Sequence, residues 1–460
     1  MSDALLALLR ASLPPGTLLT ELADRHVYGF DNSRRHALPV AVVLASQVTE
    51  VQATVRACAQ TGTPLTARGR GTATTGAAVP AEGGVVLSLE RMDRILEISA
   101  ADRIARVQPG VLNGALQEAL AAHGLFWPPD PTSAPYASIG GNLACNAGGP
   151  RTVKYGASRD NVLALEVVDG RGEWLRCGQR TSKGSVGYDL ARLLVGSEGT
   201  LGIITAATLR LLPKPAARRA LRALYASVEA AAAGVAAIMA QPAIPAAVEF
   251  MDARALDLLR RHAGLALPPG EALLLLEVDG PANTLAGQED AVRAAATVPG
   301  LTAFDSAGTA AEADVLWAAR KALSPLLRQL KPRKINEDVV VPVSRLPDLV
   351  RGVQEIAARE ELLILCFGHA GNGNLHVNLL FDPLEPGQSE AAERALAALF
   401  ALVLALDGTL SGEHGIGLDK RAFVPAALDA HALSLMRGIK TLFDPHGILN
   451  PGKIWLPGEL

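Results

Sequence analysis

Residues 64–80 have the sequence PLTARGRGTATTGAAVP, a glycine-rich stretch that follows an apolar segment. Because Gly69, Gly71 and Gly76 lack side chains, the backbone amides around them can approach an anion closely. Two further glycine-rich segments, PDPTSAPYASIGGNLACNAGG (129–149) and GSEGTLGIIT (196–205), repeat this chemistry. Three such loops exceed what a mononucleotide needs, and the first predicts a cradle for a diphosphate.

The loops do not match the common nucleotide signatures. None fits GxxxxGK[ST], and RGRGTATTG lacks the strand-GxGxxG-helix context of a nicotinamide fold. Taken singly, each loop is more often an ordinary turn. The three together indicate cofactor binding.

A second glycine-rich region, GHAGNGNLHVN (368–378), predicts a β-hairpin. The short apolar runs LLILCF and VNLLF flank the turn sequence AGNGN, as two paired strands would. Side chains alternate along a strand, so His376 and Asn378 share one face, and His369 closes the first strand across the turn.

This polar face, together with SGEHGIG (411–417), has the composition of a metal site. Neutral imidazole and carboxylate suit zinc or a similar divalent ion, and His369, His376 and Glu413 would leave one coordination position open for substrate. His414 follows in a Gly-flanked loop and is the candidate base, because histidine takes a proton near neutral pH. The alternative is that these histidines are satisfied polar residues of a loop, since the spacing is only moderately specific.

Composition narrows the possible partners and the compartment. The formal charge of -3, with mixed signs, argues against nucleic acid as a partner. No stretch is long and apolar enough to span a bilayer, and the start, MSDALLALLRASLP, predicts an amphipathic helix docked on the body rather than a secretory signal. Sparse thiols without paired spacing favour the cytoplasm, with peripheral membrane association as an alternative.

The chain of 460 residues, 49% of them apolar, is long enough for two or three domains. We predict a helical N-terminal segment over 1–37, a cofactor domain over 38–214, a substrate domain over 215–415 and a helical C-terminal segment over 416–460. In the substrate domain, helices over 253–263 and 284–296 alternate with the strand-like LRALYAS and EALLLLEVDG, as in an α+β sandwich.

Seven motifs, in order, resemble those of the FAD-linked D-2-hydroxyacid dehydrogenases. They are PLTARGRGTATTG, PDPTSAPYASIGGNLACNAGG, VKYGASRDNV, GSEGTLGIIT, GHAGNGNLHVN, SGEHGIG and NPGKI, and they span nearly the whole chain. That family includes flavin D-lactate dehydrogenases, glycolate oxidase catalytic subunits and D-2-hydroxyglutarate dehydrogenases. The resemblance implies an α+β fold, with a two-part FAD-binding domain of the vanillyl-alcohol-oxidase type and a cap domain built on an antiparallel sheet.

The resemblance also implies which residues contact FAD, from the diphosphate to the flavin ring. These are Arg68, Gly69, Arg70, Gly71, Thr72, Thr75, Gly76, Pro131, Ser138, Gly141, Asn142, Gly148, Tyr155, Gly156, Glu198, Gly202, Ile203 and Asn450. Relatives that attach flavin through a histidine carry it in the first loop, which has none here. We therefore expect non-covalent FAD.

For the second half, the resemblance makes His369, His376 and Glu413 the metal ligands and His414 the catalytic base. The segment LWAARKALS (316–324) resembles the one that binds a substrate carboxylate through an arginine, which implies a substrate role for Arg320. Ser324, Lys334 and Asn378 complete the implied substrate site. From the residues alone, Arg320 would be read as an exposed helix cation.

The implied reaction is FAD-dependent, metal-assisted oxidation of a D-2-hydroxyacid to the 2-oxoacid, with hydride transfer to FAD. Cys58, Cys145, Cys177 and Cys366 are scattered and form no CxxC pair for an iron-sulfur cluster, so electrons must leave to an external acceptor. Candidates are a partner subunit, an electron-transferring flavoprotein, a quinone, a cytochrome or oxygen. A homodimer is the candidate assembly state.

Three other functions stay open at this point. A metal-dependent hydrolase could use the same ligands with structural glycine loops, and a non-redox FAD enzyme of the alkyl-dihydroxyacetone-phosphate synthase type also binds FAD through such loops. That synthase type has a histidine run where this chain has Glu413 and His414, which disfavours it. A catalytically inactive FAD-binding subunit is disfavoured by the complete set of histidines.

Overall fold

The structure of the protein, a computed structural model, describes residues 2–262 and 270–456. The chain divides into two compact units. The first unit comprises Met1–Gly149, Gly156–Lys214 and Glu413–Leu460, and the second comprises Pro150–Tyr155 and Pro215–Gly412. The predicted spans 1–37, 38–214 and 416–460 thus fall in the first unit, apart from residues 150–155, which belong to the second.

Helices occur in both units, and their bounds follow in chain order. The described residues form α1 (Ser2–Ser12), α2 (Leu22–Val27), α3 (Val48–Thr61), α4 (Asn113–Ala121), α5 (Ile139–Cys145), α6 (Thr152–Tyr155), α7 (Leu190–Leu194), α8 (Val228–Ala240), α9 (Ala253–His262), α10 (Leu285–Ala296), α11 (Ala310–Leu330), α12 (Leu346–Arg359), α13 (Gln388–Ala405), α14 (Val424–Ala427) and α15 (Ala430–Phe443). The predicted helices over 253–263 and 284–296 correspond to α9 and α10, and residue 263 lies outside the described residues. In the described part of the chain, no helix combines the length and the apolar character that crossing a bilayer requires.

The first unit contains the strands β1 to β11. They are β1 (Leu18–Leu19), β2 (Ala41–Leu44), β3 (Leu65–Arg68), β4 (Val85–Ser88), β5 (Ile95–Ser99), β6 (Ile104–Val107), β7 (Leu125–Phe126), β8 (Val162–Val168), β9 (Trp174–Gly178), β10 (Ile203–Arg210) and β11 (Leu212–Pro213). They form sheets in the orders β1-β2-β4-β3, β5-β6-β10-β8-β9 and β11-β7. Strands β2, β4 and β3 are parallel, because α3 carries the chain from β2 across to β3.

The N-terminal helix α1 belongs to the core of the first unit. Leu5, Leu9 and Leu13 recur every four residues, so they share one face of the helix, and all three are buried against α3 and the β2-β4-β3 sheet. The strand β1 that follows pairs antiparallel with β2. The segment 1–37 therefore adds both a helix and an edge strand to this sheet.

The second unit is built on one antiparallel sheet of seven strands. They are β12 (Ala217–Tyr225), β13 (Ala247–Asp252), β14 (Ala272–Gly280), β15 (Leu301–Ser306), β16 (Arg333–Val340), β17 (Leu363–His369) and β18 (Asn374–Phe381), in the order β15-β12-β14-β13-β17-β18-β16. Helices cover both faces. Leu224 packs with α9 and α11, and the next residue, Tyr225, points to the other face, where its hydroxyl donates to the carbonyl of Ala296 in α10.

The face that carries α9 and α11 changes from apolar to polar along the strands. Leu273, Leu275, Leu365 and Phe367 form the apolar part under the helices. Further along the same face come acidic and imidazole side chains, because alternation keeps residues two positions apart on one side. This polar row consists of Glu277 and Asp279 of β14, Glu249 of β13, His369 of β17, His376 and Asn378 of β18, and Asp338 of β16.

Candidate functional site

In the first unit, the first glycine loop leaves β3 and lies against helix α5. A methyl group added at Gly69 would be 2.3 Å from Ser138 Oγ, so only glycine allows this approach. Ser138 begins α5, and its hydroxyl accepts a hydrogen bond of 3.3 Å from the N–H of Gly141. Two of the three predicted cofactor loops are therefore neighbours.

The third glycine loop joins this group through the backbone and the side chain of Glu198. Its N–H donates to the carbonyl of Ala144 in α5 at 2.8 Å. Its carboxylate accepts hydrogen bonds from the N–H groups of Ile416 at 2.6 Å and Gly417 at 2.8 Å. Burial raises the pKa of Glu198, and these two amides oppose that shift. The resemblance implies that Glu198 contacts FAD, and in the structure its carboxylate anchors the loop that carries His414.

The first loop anchors the same segment from another direction. The carbonyl of Thr75 accepts from the N–H of Leu418 at 2.8 Å, and the Thr75 hydroxyl donates to the carbonyl of His414 at 3.3 Å. Gly417 has a φ of +53°, and a methyl group there would lie 2.2 Å from the Thr75 carbonyl oxygen. The segment around His414 is thus fastened through its backbone to the predicted cofactor loops.

Asn450 of NPGKI joins the first and third loops. Its side-chain amide donates to the carbonyls of Ala77 at 2.9 Å and Glu198 at 2.6 Å. Its Oδ1 accepts from the buried ammonium of Lys453 at 3.2 Å. The C-terminal segment therefore returns to the glycine loops.

Several residues assigned to FAD contact other protein groups. Ile203 is only 1% exposed in the core of the first unit. A methyl group at Gly202 would lie 2.4 Å from Val167, and the Arg68 guanidinium donates to the carbonyl of Phe30 at 2.6 Å. Tyr155 belongs to the second unit, where its hydroxyl donates to Asp279 at 2.8 Å. The remaining predicted residues, Arg70, Gly71, Thr72, Gly76, Pro131, Asn142, Gly148 and Gly156, belong to the first unit.

In the second unit, the predicted hairpin brings two histidines together. Strands β17 and β18 pair antiparallel, His369 ends the first strand, and His376 lies on the second. The Nε2 atoms of His369 and His376 are 3.4 Å apart, with the two rings almost perpendicular at 85°. Two nitrogens that bind one zinc tetrahedrally at about 2.0–2.1 Å lie about 3.4 Å apart. This pair therefore fits two ligands of a single cation.

Glu249 is a buried carboxylate beside His369 that the sequence reasoning missed. It is completely buried on β13, directly opposite His369 in the strand register. Oε1 is hydrogen-bonded to His369 Nδ1, and Oε2 accepts from Arg320 Nε at 2.6 Å. Burial raises the pKa of Glu249, but its electrostatic interactions and hydrogen bonds with His369 and Arg320 outweigh burial and lower the pKa to about 2. Glu249 thus links a predicted metal ligand to the predicted substrate arginine.

Arg320 is not the exposed helix cation that the residues alone suggest. Its side chain is 13% exposed, because it lies on the inner side of α11 with its guanidinium 4.6 Å from the centre of the Phe367 ring. One turn later, the Ser324 hydroxyl is 3.4 Å from the ammonium of Lys334 on β16. Three of the four predicted substrate residues therefore lie on the same sheet face. Ser324 and Lys334 contact each other, and Arg320 is ion-paired with Glu249.

Asn378, the fourth predicted substrate residue, has a buried and unsatisfied oxygen. Its side-chain amide donates to the carbonyl of His376 at 3.0 Å, while Oδ1 has no hydrogen-bond partner among the described residues. A buried acceptor without a donor costs roughly 1–3 kcal/mol, so such an atom marks a place where a bound donor would fit.

Glu413 follows Gly412, whose backbone is fixed beside strand β18. Asp338 is fully buried and is the register partner of His376. Its carboxylate accepts from the Ser411 hydroxyl at 3.1 Å and from the N–H of Gly412 at 3.0 Å. Glu413 is one peptide bond beyond Gly412, where the first unit resumes with Glu413 and His414.

The family models match both halves of the chain. Residues 39–178 match the FAD binding domain, and residues 214–454 match the C-terminal domain of FAD linked oxidases. The chain is 40% identical to glycolate oxidase subunit GlcD of Bacillus subtilis (strain 168), over 94% of this chain and 93% of that protein. It is 36% identical to D-2-hydroxyglutarate dehydrogenase of Xanthomonas citri pv. viticola, over 99% and 98% of the two chains. It is 35% identical to D-lactate dehydrogenase of Anaerostipes hadrus, over 91% and 90%.

The chain therefore belongs to the FAD-linked oxidases. It is an FAD-linked oxidoreductase with both the FAD-binding domain and the C-terminal domain of that family. Metal-dependent hydrolysis with purely structural glycine loops is not supported.

Solved structures confirm the predicted fold. p-Cresol methylhydroxylase superimposes with a TM-score of 0.81 at 18% identity, over 99% of this chain and 96% of that one. Alkyldihydroxyacetonephosphate synthase superimposes with a TM-score of 0.75 at 20% identity, over 97% and 85%. At this identity the similarity defines the fold alone, which is the predicted two-domain α+β type.

Proposed function

We propose that the protein oxidises a D-2-hydroxyacid of the D-lactate, glycolate or D-2-hydroxyglutarate type to the 2-oxoacid, with non-covalent FAD as hydride acceptor. Relatives named for these activities are 35–40% identical over most of the chain, which supports this substrate class. The observation that carries the proposal is the pair of buried imidazoles whose Nε2 atoms are 3.4 Å apart beside a buried carboxylate.

His369 and His376 would hold a divalent cation, zinc or a similar ion, and Glu413 would be the third ligand. The spacing of the two nitrogens and the anchoring of Gly412 by Asp338 support this ligand set. When bound, FAD supplies the hydride acceptor and the cation lowers the pKa of the substrate hydroxyl.

The substrate would be oriented through its carboxylate. Glu249 engages Nε of Arg320, so the two terminal nitrogens of the guanidinium can bind a carboxylate as a fork. Ser324 and Lys334 lie within 3.4 Å of each other and would bind polar groups farther along the substrate, while Asn378 Oδ1 would accept a hydrogen bond.

His414 would act as the base. Its imidazole would take the hydroxyl proton while the hydrogen on the same carbon leaves with its electron pair, so that one proton and one hydride account for the oxidation. Attachment of the His414 segment to Thr75 and Glu198 supports this role, because it keeps the base next to the predicted cofactor loops of its own unit.

Electrons would then leave to an external acceptor. Cys58, Cys145, Cys177 and Cys366 lie in four different elements and form no disulfide, which supports neither a cysteine-bound cluster in this chain nor an oxidising compartment. A partner subunit, an electron-transferring flavoprotein, a quinone or a cytochrome would complete the turnover, and the cytoplasm is the proposed compartment.

Anaerobic bleaching of the flavin tests the proposal. The purified protein is mixed with D- and L-lactate, glycolate, D-2-hydroxyglutarate and malate, and the metal per flavin is measured by elemental analysis. We expect bleaching by at least one D-2-hydroxyacid or glycolate, about one divalent metal ion per chain, and loss of bleaching after chelation. Bleaching by none of the acids would contradict the substrate class, and full activity without metal would contradict the ligand set.

A further inference from the structure

We propose that Glu249 is a positioning residue that fixes both the metal-binding nitrogen of His369 and the carboxylate-binding fork of Arg320. The inference rests on the proposed function, since it concerns how the ligand and the substrate arginine are held. It assigns a role to a residue that lies 120 positions before His369 in the chain.

The position of Glu249 leaves its carboxylate no freedom. The residue lies in the middle of β13, between β14 and β17, and its side chain is 0% exposed. Each carboxylate oxygen has a separate partner, His369 Nδ1 for Oε1 and Arg320 Nε for Oε2. A buried carboxylate that satisfies two partners at once holds both in one geometry, because moving either leaves a charge unpaired.

The bond to His369 determines which ring nitrogen can bind a cation. An ionised carboxylate can only accept, so Nδ1 of His369 carries the proton and donates it. Nε2 then presents its lone pair, and this is the atom that lies 3.4 Å from Nε2 of His376. Without Glu249 the ring could rotate or change tautomer, and the lone pair would no longer be fixed beside that of His376.

The bond to Arg320 orients the guanidinium in a similar way. Glu249 binds Nε from one side, and the Phe367 ring lies 4.6 Å from the guanidinium carbon. The plane of the fork is set by these two contacts. One carboxylate therefore ties the proposed substrate-binding group to the proposed metal ligand, and both should be weakened by the same substitution.

Glu277 provides a matched control on the same sheet face. It is 1% exposed on β14, and its carboxylate accepts from Arg151 at 3.0 Å and lies 3.5 Å from Arg218. It therefore shares with Glu249 its burial and its pairing with arginine. It is not paired with His369, so its substitution reports only the general cost of losing a buried carboxylate.

The experiment compares Glu249→Gln and Glu249→Asp with Glu277→Gln in the flavin-loaded protein. Zinc affinity is measured by competition with a chromogenic chelator, FAD content by absorbance, and unfolding by thermal melting. Glu249→Gln leaves one acceptor for the two donors His369 Nδ1 and Arg320 Nε and removes the charge, and Glu249→Asp retracts the carboxylate by one methylene. We expect zinc to bind about 10–100-fold more weakly to both Glu249 variants, and within about twofold of the wild type in Glu277→Gln.

The arginine is tested separately at saturating zinc. We expect the KM for D-lactate to stay raised in Glu249→Gln even when the metal site is refilled, because the fork of Arg320 is still displaced. Equal zinc affinity in the wild type and both Glu249 variants would overturn this inference alone. A wild-type protein that binds no divalent metal would overturn the proposed ligand set and this inference together. A common loss of melting temperature in both Gln variants, with zinc affinity unchanged, would make Glu249 merely structural and would also overturn it.

Discussion

His369 and His414 are held by the chain in two different ways. His369 ends a strand in the middle of a sheet, and a buried carboxylate grips its ring nitrogen. The contacts that fix the His414 segment are made to the backbone, through the Thr75 hydroxyl on the His414 carbonyl and the Glu198 carboxylate on the following amides. A cation ligand needs a fixed lone pair, whereas a base needs a fixed main chain and a ring that changes its charge. The difference matches the roles proposed for the two residues.

Replacing the base should have the largest effect on the rate of flavin reduction. His414→Asn removes proton acceptance, so we expect flavin reduction by D-lactate to slow by about 10²- to 10⁴-fold, with FAD and metal content unchanged. Anaerobic stopped-flow absorbance measures the rate. The counterpart His369→Asn should instead lose the metal while keeping FAD. If His414→Asn reduced flavin at the wild-type rate, the division of roles between the two histidines would be wrong.

Lys453 gives the His414 region a dependence of stability on pH in the alkaline range. Burial lowers the pKa of Lys453 from its ordinary value of 10.5 to about 8, while an arginine stays charged throughout. Between these two values the unfolded chain binds more protons than the folded chain, so stability should rise with pH across that window. The contribution is about 3 kcal/mol. Urea unfolding at several pH values from 7.5 to 10.5 measures it, and Lys453→Met should remove this part of the rise; an identical pH slope in both proteins would refute the prediction.

The anchor of the His414 loop should matter less than the base itself. Glu198→Gln keeps one acceptor but turns an NH₂ group toward the second backbone amide, of Ile416 or Gly417. We expect a loss of about 1–3 kcal/mol in the free energy of unfolding and flavin reduction about tenfold slower. Metal affinity should fall less than in His369→Asn, because both histidine ligands keep their own contacts and only Glu413 lies on the loop that Glu198 anchors. If the Glu198→Gln protein lost zinc but reduced flavin normally, Glu198 would support the metal site and not the base.

The single hydrogen bond from Thr75 should give the smallest effect. Thr75→Val removes the hydroxyl that donates to the His414 carbonyl and keeps the shape of the side chain, at a cost of about 0.5–1.5 kcal/mol in unfolding free energy. Thr75→Ser retains the hydroxyl and serves as the control. Chemical denaturation of the three proteins in parallel decides the matter, since equal stability of the Val and Ser variants would show that the bond contributes nothing.

Local patterns sufficed to predict the hairpin and helices α1, α9 and α10. The alternation around GHAGNGNLHVN predicted strands β17 and β18 and placed both histidines on one face, because side-chain alternation depends only on neighbouring residues. The stretch MSDALLALLRASLP likewise predicted a docked amphipathic helix, and α1 packs in the core of the first unit. The family motifs predicted the fold, and the comparisons confirmed it.

The partners of the buried charges could not be predicted in the same way. Glu249 lies in AVEFMD, where one acidic residue in an apolar strand gives no sign of a histidine 120 residues later. Its partners follow from the order β13-β17 in the sheet, and strand order is a long-range property. Glu198 and Tyr155 were assigned to the cofactor from their motifs alone, and their protein partners, Ile416 and Asp279, depend on the same kind of distant pairing.

The first unit is completed by a segment that is synthesised after the second unit. Strand β3 is bordered by the C-terminal segment, through a parallel bridge between Leu65 and Leu449 and the bond from the N–H of Asn450 to the Leu65 carbonyl. On the ribosome, residues 215–412 emerge before this segment and can form their sheet first. The first and third glycine loops, in contrast, cannot be joined through Asn450 until that residue has been synthesised. We therefore expect flavin to load only after the second unit has been synthesised.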